Sequence, residues 1–168
     1  YEDGMEIMRL HETCKQVTIA MVNGFCFTGA MEMLMAFDLI VVADEAKIGD
    51  THAKWGIRPT WGMTQRLQQQ VGLRKAKELS FTAQAISGIE AVKIGLANSS
   101  HPLEELKSAV DDLIEKILPN SGQAIGSIKE LYQFGSENTL KEGLEFEATF
   151  EMEVMDKTDD LKNFKDKI

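Results

Sequence analysis

The stretch VNGFCFTGAMEM, residues 22–33, decides how this chain is read. An apolar segment runs into Asn23-Gly24, pauses, resumes at Thr28-Gly29-Ala30, and then sets Glu32 within a run of methionines. Apolar surroundings disfavour an ionised carboxylate. A glutamate placed there needs a physical reason.

Working outward, residues 17–22 (VTIAMV) are β-branched and apolar without polar alternation, the pattern of a strand buried on both faces. Residues 29–37 read as a short apolar helix, 38–43 (DLIVVA) as a second buried strand and 46–49 as a third, shorter one. Upstream, Ile7, Leu10 and Cys14 share one face of a helix over 4–15. Downstream, Gly56, Pro59 and Gly62 punctuate a loop over 50–62. Helices are expected at 64–71 and 75–81. Another opens at the capping box Ser87-x-x-Glu90 and closes at Gly95. Leu106, Val110, Leu113 and Ile117 mark an amphipathic helix ended near Pro119. Residues 121–134 are helical, a second capping box at Thr139-x-x-Glu142 starts a helix to about 157, and a last helical piece follows from 159. Strands alternating with helices in the first half imply an α/β layered core, followed by a helical second half.

The chemistry sits where the first strand gives way to the helix at Gly29. The first N–H groups of a helix have no partner inside it, and the helix dipole adds positive charge there. Gly29 lets a ligand approach the backbone, and a carbonyl becoming an oxyanion would be stabilised at that point. Glu32 lies one turn in. It is either a general acid/base facing the same cavity or a capping glutamate reaching back to the helix start. Spacing alone favours the cap, since capping is the commoner use.

Composition narrows the function classes. The chain has 168 residues, 43% hydrophobic and 27% charged, enough for one packed domain. A net charge of −9 makes nucleic acid a poor partner, and no segment is long and apolar enough to span a bilayer. Cys14 and Cys26 are too few for a disulfide framework; they read as buried free thiols in a reducing compartment, which points to the cytoplasm. No Cys/His cluster has metal-site spacing, so no metal is expected.

The segments VNGFCFTGAMEMLMAFDLIVVADEAKIG, WGIRPTWGMTQRL and VGLRKAKELSFTAQAISGIEAVKIGLAN together resemble the crotonase, or enoyl-CoA hydratase/isomerase, superfamily. The matching motifs are the strand with Asn-Gly, the small-residue turn before a helical Glu, the Asp-containing strand, the Gly-x-x-Pro loop and the Ser-to-Gly-Leu helix, in order over residues 17–99. The resemblance implies a spiral of β-β-α turns and a helical C-terminal region used for trimerisation, with homotrimers or hexamers. It divides the chain into residues 1–100, the later part of the spiral core, and 101–168, the helical region. Earlier strands, and the segment supplying a second oxyanion-hole N–H, are expected to precede the residues given.

The resemblance also implies an acyl-CoA thioester as substrate and partner, with no cofactor beyond the coenzyme A that the substrate carries. Gly29 matches an oxyanion-hole donor, and Glu32 matches the first catalytic glutamate of the hydratases. The second glutamate position holds His52, which can hold the same water and exchange protons near neutrality. Asp50 is a candidate to orient it. Thr60 replaces a glycine that lines the substrate site, and Thr28 replaces a glycine of the turn. Trp61 and Met31 are candidate pocket walls. Lys162, Lys165 and Lys167 are candidates to approach a neighbour's CoA phosphates. His11 and His101 read as surface or capping residues, and Arg58 and Arg66 as salt-bridge residues. The implied reaction is hydration of a 2-enoyl-CoA. Isomerisation with Glu32 as main base is the alternative, and a non-catalytic acyl-CoA-binding member is a third.

Overall fold

The computed structural model describes residues 2–151. Helix α1 (Glu2–Thr13) leads into β1 (Ile19–Val22) and β2 (Phe25–Phe27), then α2 (Gly29–Leu34), β3 (Leu39–Ala43) and β4 (Lys47–Gly49). A 3-10 turn at Ala53–Trp55 precedes α3 (Met63–Val71), α4 (Leu73–Thr82) and α5 (Gly88–Lys93). Strand β5 (Ser99–His101) and a second 3-10 turn, Leu103–Glu105, lead to α6 (Leu106–Ile117), α7 (Gly122–Glu137) and α8 (Leu140–Thr149).

Strands β1, β3 and β5 form one parallel sheet in that order, and β2 pairs with β4 in a second parallel sheet. Each of the first two turns of chain adds one strand to each sheet, and the third adds β5 to the first sheet, with helix carrying the chain back between turns because parallel neighbours require a crossover. This is a β-β-α spiral. Strand β3 sits at the centre of its sheet, and its successive residues Ile40, Val41, Val42 and Ala43 are all buried, as expected of a strand covered on both faces. Strand β1 departs from that expectation. It is an edge strand, and Met21 is 46% exposed, because no described residue covers its outer face.

Strands β2 and β5 were not anticipated from the sequence. Each is three residues long, too short to carry a periodic signal, and each is held by pairing to β4 and β3 respectively. Helix α2 stops at Leu34, and α8 ends at Thr149 rather than near 157. The helix expected from 159, and Lys162, Lys165 and Lys167, lie outside the described residues.

One hydrophobic core joins Met31, Leu34, Val41, Val42, Ile48, Met63, Leu67, Leu79 and Leu106. Leu106 belongs to α6, and Ala109, Val110 and Leu113 of that helix pack on the same core, so the packed layer continues past residue 100. Helix α7 is fastened by Lys129, whose ammonium donates to Asp38 (2.7 Å) and to the carbonyls of His11 (2.8 Å) and Gln16 (3.1 Å). Phe134 stacks on Phe146 to join α7 and α8. His11 Nδ1 lies 2.8 Å from the Ile7 carbonyl, and His101 Nε2 lies 3.1 Å from the Ser99 hydroxyl. Cys26 is buried, whereas Cys14 is only partly so.

Helix α5 approaches β3 so closely that a Cβ at Gly88 would lie 2.0 Å from the Ala43 carbonyl oxygen. Backbone cannot yield as a flexible side chain does. Gly88→Ala is therefore expected to lower stability by roughly 3 kcal/mol, read as a reduced urea midpoint. Burial pushes the Cys26 thiol up from the ordinary 9.0 to about 11. Below pH 9 the thiol is protonated in folded and unfolded chains alike, and its contribution is complete. Between pH 9 and pH 11 the unfolded thiol ionises first, so stability falls with rising pH, by roughly 2 kcal/mol. Cys26→Ala is expected to flatten that fall in denaturation curves taken across the interval.

Candidate active site

Strands β2 and β4 lie side by side, with Phe27 opposite Gly49. Parallel strands end at the same edge, so the residues just beyond them become neighbours: Thr28 to Glu32 after β2, and Asp50 to His52 after β4. The Thr28 amide donates to the Gly49 carbonyl (3.2 Å) and fixes this junction. Thr28 itself has φ 47° and ψ −115°, a conformation usually left to glycine. For a β-branched residue this is backbone strain of about 1–3 kcal/mol, placed at the entry to α2.

Glu32 is 2% exposed and does not cap its own helix. Its Oε1 accepts the Trp61 amide (2.8 Å) and the Met63 amide (3.3 Å), both from the segment that enters α3. The spacing that favoured a local cap is thus overruled by partners distant in sequence. The other oxygen, Oε2, lies 3.5 Å from His52 Nε2. His52 is also buried, at 6% exposure. Its Nδ1 is 2.6 Å from Asp50 Oδ1, which also accepts the His52 backbone amide at 3.2 Å. The second oxygen of Asp50 accepts the Ser80 hydroxyl from α4 at 2.6 Å. The result is a continuous chain, Ser80–Asp50–His52–Glu32, in which Glu32 Oε2 and His52 Nε2 face each other without a hydrogen bond to any other described residue.

Trp61 is held at both ends of its peptide unit. Its amide serves Glu32, and its carbonyl accepts from Arg66 Nη1 at 2.9 Å. Arg66 is in turn paired with Glu12 of α1 at 2.6 Å. The indole lies across two glycines: a Cβ at Gly4 would fall 2.3 Å from Trp61 Cε2, and one at Gly29 3.0 Å from Cζ3. The close approach of ring to backbone requires glycine at Gly4. Among the described residues, the Gly29 amide meets no protein acceptor.

The remaining sequence candidates separate. Thr28 and Trp61 are half-buried beside Gly29, whereas Thr60 is exposed. Met31 has no exposed surface; it packs into the core from α2 and anchors the helix that carries Glu32, so the expectation of a pocket wall is corrected. A groove of about 780 Å³ opens elsewhere, bordered by Glu12, Asp38, Arg66 and Lys129. Those four charges are already spent on the Arg66–Glu12 and Lys129–Asp38 pairs, and the groove contains neither Glu32 nor His52. Among the described residues, no group of three or more His, Cys, Asp or Glu is arranged to hold a metal ion. No helix there is long and apolar enough to cross a membrane.

The enoyl-CoA hydratase/isomerase family model matches residues 2–167. This chain belongs to that family. A short-chain-enoyl-CoA hydratase of Clostridioides difficile is 40% identical over 134 residues, 80% of this chain and 86% of that protein. Another of that name, from Clostridium acetobutylicum, is 34% identical over 145 residues, 86% of this chain and 56% of that protein. The structure of an enoyl-CoA hydratase from Bacillus anthracis is similar at TM-score 0.90 and 31% identity, over 99% of this chain and 66% of that one. A Thermobifida fusca structure in complex with CoA is similar at TM-score 0.80 and 28% identity, over 86% of this chain and 56% of that one. The C. difficile protein apart, the family member described here spans about half to two thirds of these relatives.

Within this family member, replacing Glu32 tests its structural share separately from its chemistry. Glu32→Ala leaves the Trp61 and Met63 amides buried without an acceptor and is expected to lower stability by about 1–3 kcal/mol. Glu32→Gln keeps a carbonyl oxygen for them and is expected to stay within about 1 kcal/mol of the parent. Chemical denaturation of the two variants side by side checks this difference.

Proposed function

We propose that the protein is an enoyl-CoA hydratase that adds water to a 2-enoyl-CoA thioester, with Glu32 and His52 as its acid–base pair. The supporting observation is the facing of Glu32 Oε2 and His52 Nε2 at 3.5 Å while the other polar atoms of both side chains are engaged. A water oxygen placed between these two atoms can touch both.

In the reaction, His52 Nε2 takes one proton from the water as its oxygen bonds to the β-carbon. The electron pair of the double bond moves toward the thioester carbonyl, and the resulting enolate oxygen is stabilised by the Gly29 amide. Glu32 delivers its proton to the α-carbon. Transfer of the proton from Nε2 to Oε2 then resets the pair, and the net change is the addition of one water. Preorganised N–H donors and positioned acid–base groups are large contributors to such rates. Thr28, Thr60 and Trp61 border the thioester and the acyl chain in this reading. No cofactor is needed beyond the CoA of the substrate. A second oxyanion donor from a preceding segment, assembly as a homotrimer or hexamer, and a cytoplasmic location complete the proposal; these rest on the resemblance and on the free cysteines.

Incubating the purified protein with crotonyl-CoA is expected to remove the absorbance of the conjugated thioester. Glu32→Gln is expected to slow this by about 10²–10⁴-fold, and His52→Ala by a comparable factor. Turnover only of a 3-enoyl thioester, unaffected by His52→Ala, would instead mark an isomerase. Binding of the thioester without turnover would mark a non-catalytic member.

A further inference from the structure

The structure assigns Asp50 and Ser80 a part in the reaction: they act as positioning residues that hold His52 in its Nδ1–H tautomer, so that the Nε2 lone pair faces Glu32 and the incoming water. The inference rests on the hydratase reading of the same site and extends it to two residues that touch no reacting atom.

Asp50 is 1% exposed, and it accepts the His52 backbone amide on Oδ1 and the Ser80 hydroxyl on Oδ2. The His52 amide and ring converge on Oδ1, and the Ser80 hydroxyl donates to Oδ2. With both oxygens engaged as acceptors, an ionised Asp50 has no hydrogen to give, so a ring nitrogen 2.6 Å from Oδ1 bonds it as N–H and the hydrogen resides on Nδ1. A neutral imidazole has one N–H only, which leaves Nε2 as an acceptor. Once Nε2 has taken the proton of water, the same carboxylate faces the imidazolium across 2.6 Å and stabilises it.

The geometry is over-determined in the way a positioned base requires. The two-residue interval lets Asp50 bond the backbone and the ring of His52 at once, which sets both the turn and the ring plane. Ser80 belongs to α4, whose Ala76 and Leu79 are buried in the core, so the rotation of the Asp50 carboxylate is referred to a packed helix and not to the loop alone. Without Ser80, Asp50 would keep His52 but could pivot. Without Asp50, the ring could take either tautomer, and the form with hydrogen on Nε2 cannot accept a proton from water.

Three variants of the full chain, Asp50→Asn, Asp50→Glu and Ser80→Ala, carry the test together with Glu32→Gln as the reference for the hydratase reading. Nitrogen-15 NMR of the histidine ring is expected to find a protonated Nδ1 and an unprotonated Nε2 in the parent protein, and a mixed or reversed tautomer in Asp50→Asn. With crotonyl-CoA, Asp50→Asn is expected to lower kcat by about 10²–10⁴-fold, the scale seen when an orienting carboxylate is neutralised, with KM changed less than about threefold. Asp50→Glu is expected to recover part of the loss, and Ser80→Ala to lower kcat by about tenfold or less. An unprotonated Nδ1 in the parent overturns the proposal whether or not any variant folds. So does a folded Asp50→Asn with unchanged kcat when Glu32→Gln is inactive. A parent protein that shows the expected tautomer but no hydration, or full hydration in Glu32→Gln, instead removes the hydratase reading and with it the catalytic meaning of the dyad.

Discussion

The buried carboxylate of Glu32 is the constraint around which this structure is arranged. One oxygen is committed to two backbone amides, those of Trp61 and Met63, about thirty residues further along the chain. That commitment fixes where α3 begins, because its first residue is Met63. It also fixes which carboxylate atom remains uncommitted. A buried polar group without such partners would be destabilising. With them, the carboxylate joins α2 to the entry of α3 and still presents one free atom toward His52.

Parallel pairing explains why the other participants gather there. A chain that spirals through two sheets returns each time to the same edge, and the loops that leave β2 and β4 must therefore run together. Gly29 and Glu32 leave one strand; Asp50 and His52 leave its neighbour. Ligands of α/β layers are commonly held beyond the carboxyl ends of parallel strands for this reason. Helix α4 then contributes Ser80 from behind, so the polar chain ends on a packed element.

The parts of this arrangement that sequence makes legible are those carried by local pattern. The continuous apolar run of β3, the helical spacing of Leu106, Val110 and Leu113, and the Thr139–Glu142 capping box all form as read. The Ser87 box forms by half: Ser87 accepts the Glu90 amide, while the Glu90 carboxylate lies 3.8 Å from Lys75. Strands β2 and β5 are too short for periodicity, and their existence depends on partners that only the tertiary fold supplies. Glu32 illustrates the same limit at the site. Spacing offered a cap, and the amides that bind it belong to residues with no local relation to it. Ser80 gave no signal at all, since a serine on an exposed-looking helix is ordinary until the neighbouring loop is known. Asp50 and His52 were visible as a pair, but two residues of separation do not decide whether side chains meet.

Trp61 shows how one residue can separate chemistry from shape. Its amide positions the carboxylate and its carbonyl is tied through Arg66 to Glu12, and both bonds belong to the backbone. Its indole lies over Gly4 and Gly29, a property of the side chain alone. Any residue except proline at this position can donate the amide to Glu32. Only a large ring fills the space above Gly29. The position can thus change the room available to a ligand while leaving Glu32 where it is. The converse does not hold, because a shift in the loop that moves the Trp61 amide moves the ring and the carboxylate together. Position 61 is thereby free to vary in size beside Gly29 and tightly bound in backbone, so the side chain and the Glu32 contact can be altered independently.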